Sequence, residues 1–191
     1  MYQKYQTDAL ILRGYERGEA DRVYALFTRE FGFVWARASA VRRESSRMRY
    51  ALQTGARSNV SLVRGNRGWR LAGAAAVSRI DPGHGSAVST FARIGQLLER
   101  LSPGEETNEY LFETLSQAHE ALMREPREAH ATIELVAVAR MLYALGYLSI
   151  EALGSALFAQ TAFAPSHLEE AQALRPKLLS SVNKALSETQ L

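Results

Sequence analysis

The first 80 residues alternate between apolar and polar positions with the period of two that is typical of β-strands. In DRVYALFTRE, residues 21–30, Val23, Ala25 and Phe27 share one face. After a turn at Gly32, the alternation of residues 33–39 places Trp35 and Arg37 on the same face. Three further short runs cover residues 7–15, 58–63 and 69–77, the last two flanking the turn sequence RGNRG.

Five short strands within so few residues predict a small barrel. The stretch from Arg42 to Tyr50 falls between the third and fourth strands, where we expect a long connection or a short helix. Connections of this kind often carry binding residues.

Beyond a loop-forming stretch at residues 81–86, which contains Pro82, Gly83 and Gly85, apolar residues recur every three to four positions. This period is typical of amphipathic helices. Stripes over residues 88–101, 111–122 and 133–145 predict three helices, the third capped by Gly146.

We expect a fourth helix over residues 149–160 and a fifth in the tail, where Pro176 divides the segment. Ser166 and Glu169 have the spacing of a capping box for this last helix. The predicted fold class is therefore α+β. It has a barrel domain at residues 1–80, a linker at 81–86 and an all-helical domain at 87–191.

The composition excludes several kinds of site. The chain has no cysteine, so disulfides, thiol nucleophiles and cysteine metal sites are excluded. The four histidines are scattered, and we expect no bound metal and no cofactor. The N-terminus is polar, unlike a signal peptide, and the longest apolar run is interrupted by Glu134 and Arg140. These features predict a cytoplasmic protein without a membrane partner.

No pattern of catalytic residues stands out. No serine lies in a Gly-x-Ser-x-Gly turn, and GNRGWRLAG lacks the lysine and the strand-to-helix context of a phosphate-binding loop. Glu16, Glu19 and Asp21 lie close together, but we interpret them as part of a solvated turn. We therefore expect neither an enzyme nor a small-molecule substrate.

The net charge of +3 conceals two oppositely charged halves. Residues 1–80 hold 15 Lys/Arg against 6 Asp/Glu, a surplus of +9, whereas residues 81–191 hold 8 against 14, a deficit of −6. A genome-wide nucleotide bias could explain why the chain has 20 Arg and only 3 Lys, but it does not explain this asymmetry. A basic module that contacts a polyanion does explain it.

Arginines of the basic half lie close to aromatic residues, a combination suited to phosphates and unstacked bases. Both tryptophans, Trp35 and Trp69, could instead belong to the core, and the sequence leaves that choice open. The candidate DNA-binding residues are Arg37, Arg42, Arg43, Arg47, Arg49, Arg64, Arg67, Arg70 and Trp35.

Several segments follow one another in a characteristic order. The first strand is followed by a turn with Tyr15, Glu19 and Asp21, then by a strand end with Thr28 and Gly32, and then by the Arg/Ser-rich loop that leads to Ala-Leu-Gln. The helical half adds LSPGEETNEYLFETLSQAHEAL and ARMLYALGYL. In this order and spacing the segments resemble the RecO family of bacterial recombination mediators, the last two its helical part.

The resemblance implies an N-terminal OB-fold barrel followed by a helical domain. It also implies binding to single- and double-stranded DNA, annealing of complementary strands, and loading of RecA with RecR onto DNA coated by single-strand-binding protein. No nucleotide hydrolysis is implied. The chain departs from the family in one respect. Many members insert a four-cysteine zinc module after the Leu-Gly-Tyr position, whereas here SIEALGSALFAQ follows that position directly. We therefore expect a reduced form without that module.

Two other functions remain open from the sequence. The helical half could be a protein adaptor attached to a purely structural barrel. Alternatively, the barrel could bind RNA, because OB folds accept either nucleic acid.

Overall fold

The N-terminal half of the computed structural model is a five-stranded barrel; the structure describes residues 3–44, 46–102, 104–149 and 156–189. Its elements are β1 (Lys4–Arg17), β2 (Asp21–Thr28), β3 (Gly32–Ala38), α1 (Met48–Ala51), β4 (Ala56–Gly65) and β5 (Gly68–Arg79). The barrel is closed in the order β1-β2-β3-β5-β4, and all neighbours are antiparallel except β3 and β5. The short helix α1 lies between β3 and β4, and the arrangement is that of an OB fold.

Alternate residues of every strand point into the barrel and form one apolar core. Trp69 belongs to this core, with 5% of its surface exposed, and its ring packs edge-on against Tyr5 at 5.7 Å. Burial of each large apolar side chain contributes about 1.5–3 kcal/mol to stability. The choice left open for Trp69 is therefore decided in favour of core packing.

A short segment distant in sequence completes the barrel unit, which comprises residues 1–82 and 103–107. Phe33 donates its backbone N–H to the carbonyl of Gly104 at 3.1 Å, and Thr107 donates its hydroxyl to the carbonyl of Glu30 at 3.1 Å. At Gly32 the backbone has a φ of +61°, and a Cβ would collide with the backbone of Glu106. Glycine is therefore required there by both conformation and space.

The second unit comprises residues 83–102 and 108–191 and is helical. The helices are α2 (Gly85–Leu101), α3 (Glu109–Arg124), α4 (His130–Ala144), α5 (Pro165–Ala173) and α6 (Arg175–Glu188), with 3₁₀ turns at Arg127–Ala129 and Ala156–Phe158. Apolar stripes predicted α2 to α4 to within a few residues. Asn108 caps α3 by accepting the N–H of Leu111 at 2.9 Å. α2 thus begins inside the stretch suggested as a linker. No helix of the described residues is both long and apolar enough to cross a membrane.

Two local predictions in the helical unit differ from the structure. The helix expected over residues 149–160 falls partly on 150–155, outside the described residues, and its described end forms only the 3₁₀ turn. The capping box at Ser166 is wrong, because α5 begins at Pro165 and Ala164 is the N-cap without a side-chain bond. Proline suits the first helical position, so the helix starts before Ser166 can cap it.

Arg140 on α4 is fully buried in the helical unit. Its guanidinium donates hydrogen bonds to the carbonyls of Leu157 at 2.7 Å, Thr161 at 2.8 Å and Ala162 at 3.1 Å. It also lies 4.8 Å from the centre of the Phe163 ring. Burial lowers the pKa of Arg140 to about 10, so the group remains charged at neutral pH. The charge holds the segment after the 3₁₀ turn against α4.

Candidate nucleic-acid interface

Four arginines line one cavity of the barrel unit, which we call the arginine cavity. The last residues of β1, the end of β3 and the β4–β5 hairpin form its wall around a volume of about 400 Å³. Arg37 and Arg70 are direct neighbours in the parallel pairing of β3 with β5. Like charges side by side on a sheet are destabilising unless an anion lies near them. The lining includes Arg17, Arg37, Arg67, Trp69 and Arg70.

Asp21 partly balances the charge beside this cavity. Its carboxylate accepts a hydrogen bond from Arg37 Nε at 3.0 Å and another from the backbone N–H of Ala40 at 2.8 Å. The bond from Ala40, followed by the one from Arg37, lowers the pKa of Asp21. Ala40 has a φ of +54°, which is uncommon for a residue with a side chain. Asp21 thus holds both Arg37 and the strained start of the β3–β4 loop.

An exposed pair of aromatic rings adjoins the arginine cavity, and we call it the aromatic platform. Tyr15 and Trp35 are 42% and 40% exposed, and their ring centres are 5.6 Å apart. The guanidinium of Arg13 lies 4.4 Å from the centre of the Tyr15 ring. The strand register places Tyr15 in the same cross-strand row as Arg37, so platform and cavity share one face of the barrel. Exposed rings beside cations suit the stacking of unpaired bases.

The β3–β4 loop carries the arginine cluster next to this face. Arg42 donates a hydrogen bond to the carbonyl of Gly18 at 3.2 Å and pairs with Glu16 at 3.5 Å, so the loop is attached to the β1–β2 turn. Arg49 lies over the ring of Tyr50 at 4.8 Å. Arg43 and Arg47 are exposed, and their side chains make no hydrogen bond or ion pair with the described residues.

The structure divides the nine candidate residues into four sets. The arginine cavity brings together Arg37, Arg67 and Arg70, and the β3–β4 loop and α1 hold the four clustered arginines. Trp35 lies in the aromatic platform, whereas Arg64 pairs with Glu105 and stacks 4.9 Å from the core ring of Trp69.

Sequence reasoning missed Arg13, Tyr15 and Arg17, which lie on the same face. The signal that could have found them is the polar, aromatic continuation of β1 beyond the Gly14 at which the strand was expected to end.

The helical unit has a larger cavity, of about 850 Å³, beside the start of α2. In its wall His130 contacts the hydroxyl of Ser86 through Nδ1 at 3.0 Å and the carbonyl of Glu125 through Nε2 at 3.2 Å. Two of the arginines there are paired with acids, Arg93 with Glu134 and Arg124 with Glu125. The charge of this wall is therefore more nearly balanced than that of the arginine cavity.

Within the described residues, no three His, Asp or Glu side chains are grouped so that they could hold a metal ion.

Comparison with known proteins links the barrel to one family. Residues 1–78 match the family described as "Recombination protein O N terminal". The chain is 37% identical to the DNA repair protein RecO of Heliobacterium modesticaldum over 101 residues, which cover 52% of this chain and 37% of that protein. It is 31% identical to the RecO protein of Dehalococcoides mccartyi over 120 residues, covering 62% and 47% of the two chains. A similar match, 31% over 119 residues, is found with the RecO protein of Pelotomaculum thermopropionicum and covers 56% and 43%. The chain thus matches less than half the length of these curated relatives.

Proposed function

The chain belongs to the RecO family, and from this premise we propose that it acts in DNA repair and recombination by binding DNA through the basic face of its barrel. The observation that carries the proposal is the adjacency of Arg37 and Arg70 in the arginine cavity, beside the exposed rings of Tyr15 and Trp35. Unbalanced guanidinium groups bind phosphates, and the rings accept bases without regard to sequence. We expect both single- and double-stranded DNA to bind.

Strand annealing is the activity that this surface supports best. Complementary strands repel each other because both carry dense negative charge, and the surplus of nine positive charges on residues 1–80 screens them. Arginine contacts to phosphates leave the base edges free to pair. The activity requires no nucleotide hydrolysis, so we propose a mediator rather than an enzyme.

The acidic helical half is the part we assign to protein partners, since its charge disfavours DNA. By family membership, the proposed partners are RecR and single-strand-binding protein, and the proposed outcome is the loading of RecA. A pull-down with purified RecR tests this assignment independently of DNA.

Annealing of complementary oligonucleotides tests the central proposal. We expect the protein to speed annealing without ATP, and we expect the Arg37→Gln/Arg70→Gln variant to lose most of this effect. The acceleration should fall as salt rises, because phosphate contacts release counterions. If the protein binds DNA yet anneals strands no faster than buffer, the mediator function is wrong.

Binding to RNA alone would favour the RNA-binding alternative, and binding to neither nucleic acid would favour the adaptor.

A further inference from the structure

The arginine cavity carries more positive charge than its own acids balance. Four guanidinium groups line it, and the carboxylate of Asp21 bonds only to that of Arg37. The side chains of Arg67 and Arg70 make no hydrogen bond or ion pair within the described part of the chain. A net surplus of about three charges therefore surrounds one small volume.

The cavity is suited to a discrete group rather than to a continuous strand. Its volume, about 400 Å³, lies within the range of small-ligand pockets, about 300–1,000 Å³. Gly65 and Gly68 form one side of it at the tight β4–β5 turn, where Gly68 has a φ of +95°. An internal phosphodiester carries one negative charge and is linked to a nucleotide on each side. A phosphate at the end of a strand is linked to only one nucleotide.

We propose that the arginine cavity binds the phosphate monoester at the end of a nucleic-acid strand, an inference that rests on the proposed DNA binding. A terminal phosphate carries a charge of about −1.5 to −2 at neutral pH and offers three acceptor oxygens. It therefore balances the cavity's surplus better than an internal phosphodiester does. Guanidinium groups bind such oxygens through paired, charge-assisted hydrogen bonds.

The test compares single-stranded oligonucleotides of one sequence with a 5′-phosphate, with a 3′-phosphate, or with hydroxyl groups at both ends. A longer unphosphorylated strand, extended by two nucleotides, has the same total charge as the phosphorylated one and controls for general attraction. We expect the full-length chain to bind one phosphorylated form about tenfold more tightly than this control. That factor corresponds to one additional charge-assisted hydrogen bond. The preferred form identifies the strand end.

Two matched variants separate end recognition from general DNA binding. Arg67→Gln/Arg70→Gln should abolish the preference for the phosphorylated strand. Arg43→Gln/Arg47→Gln removes the same charge from the β3–β4 loop, so it should weaken binding to all strands and leave the preference intact. Circular dichroism shows whether each variant remains folded.

The preference should also depend on pH in a way that general binding does not. The second pKa of a phosphate monoester is about 6, so the preference should decline as the pH falls below that value. The charged groups that line the cavity are its four arginines; Asp21 bonds to Arg37, and Arg64, which pairs with Glu105, lies over the ring of Trp69. The first 83 residues contain no histidine. The carboxylate of Asp21 stays ionised in this range because its pKa is lowered.

Equal affinity for all three strands at neutral pH would overturn strand-end recognition while leaving DNA binding in place. Failure of every strand to bind would overturn the proposed function as well. A preference that survives in the Arg67→Gln/Arg70→Gln variant would place the phosphate elsewhere.

Discussion

At the scale of single residues, Asp21 limits the positive charge of the arginine cavity while it orders the backbone nearby. The variant Asp21→Asn keeps an oxygen for the Ala40 N–H but removes the ion pair with Arg37. We expect its affinity for single-stranded DNA to rise about two- to fivefold, because the variant removes one negative surface charge that repels the strand. Glu128→Gln, with the same change in charge in the helical unit, is the control and should leave affinity unchanged. Unchanged or weaker binding by Asp21→Asn would show that Arg37 must be held by its partner.

For the same variant we predict that the difference in folding stability from wild type depends on pH. The pKa of Asp21 is lowered below its ordinary value of 3.8, so the ionised carboxylate stabilises the folded state above that value. This contribution is lost as the pH falls through the lowered pKa. The difference in melting temperature between wild type and Asp21→Asn should therefore be constant between pH 7 and pH 5. It should narrow as the pH falls below about 4. A difference that grows on acidification would contradict this linkage.

At the scale of elements, the β3–β4 loop and α1 carry the clustered arginines that we expect to contact a long strand. Replacing Arg42, Arg43, Arg47 and Arg49 with Ala should weaken DNA binding for all sequences alike. The slope of log affinity against log salt should decrease by about 0.7 for each phosphate of a single strand that the variant no longer neutralises. The melting temperature should change little, because exposed ion pairs contribute little to stability. Fluorescence anisotropy at several salt concentrations measures both affinity and slope.

The double variant Arg43→Ala/Arg47→Ala refines this prediction. These two side chains have no partners among the described residues, whereas Arg42 and Arg49 have intramolecular contacts. The double variant should therefore cause most of the affinity loss of the fourfold variant. A salt slope unchanged by the fourfold variant would mean that the loop does not contact phosphates.

Alternating and short apolar runs predicted all five strands but not the face presented by the end of β1. Ala9 and Ile11 point into the core, and strict alternation would send Arg13 and Tyr15 the same way. An irregularity in the register between Ile11 and Arg13 instead reverses the alternation and turns the following residues outward. A strict period does not predict the position of such a bulge. Tyr15, half of the aromatic platform, was missed because the first strand was expected to end near Gly14, and its outward face depends on this bulge.

At the scale of the whole molecule, the division of charge and the change from strand to helix period predicted a barrel followed by helices. They could not predict that residues 104–107 belong with the barrel. That association depends on pairings such as the one between Thr107 and Glu30, which are 77 positions apart. No local pattern encodes a pairing at such a distance, although the requirement for glycine at Gly32 is one of its consequences.

The helical unit should be stable without metal. Its helices pack through apolar stripes, and Arg140 holds the segment after the 3₁₀ turn by hydrogen bonds and by its contact with the Phe163 ring. We expect elemental analysis of the purified chain to show no stoichiometric zinc. We also expect a chelator to leave the unfolding midpoint unchanged, because metal removal destabilises only proteins that fold around the ion. One tightly bound zinc per chain would contradict this prediction.

The buried guanidinium of Arg140 also imposes an order on events during synthesis. Its most distant acceptor, Ala162, is 22 positions further along the chain. At about 5–20 residues per second, a ribosome adds this acceptor about one to four seconds after the arginine itself. Until then the guanidinium lacks the carbonyl acceptors that satisfy it when buried. We therefore expect the helical unit to complete its native packing during translation only after this segment has been made.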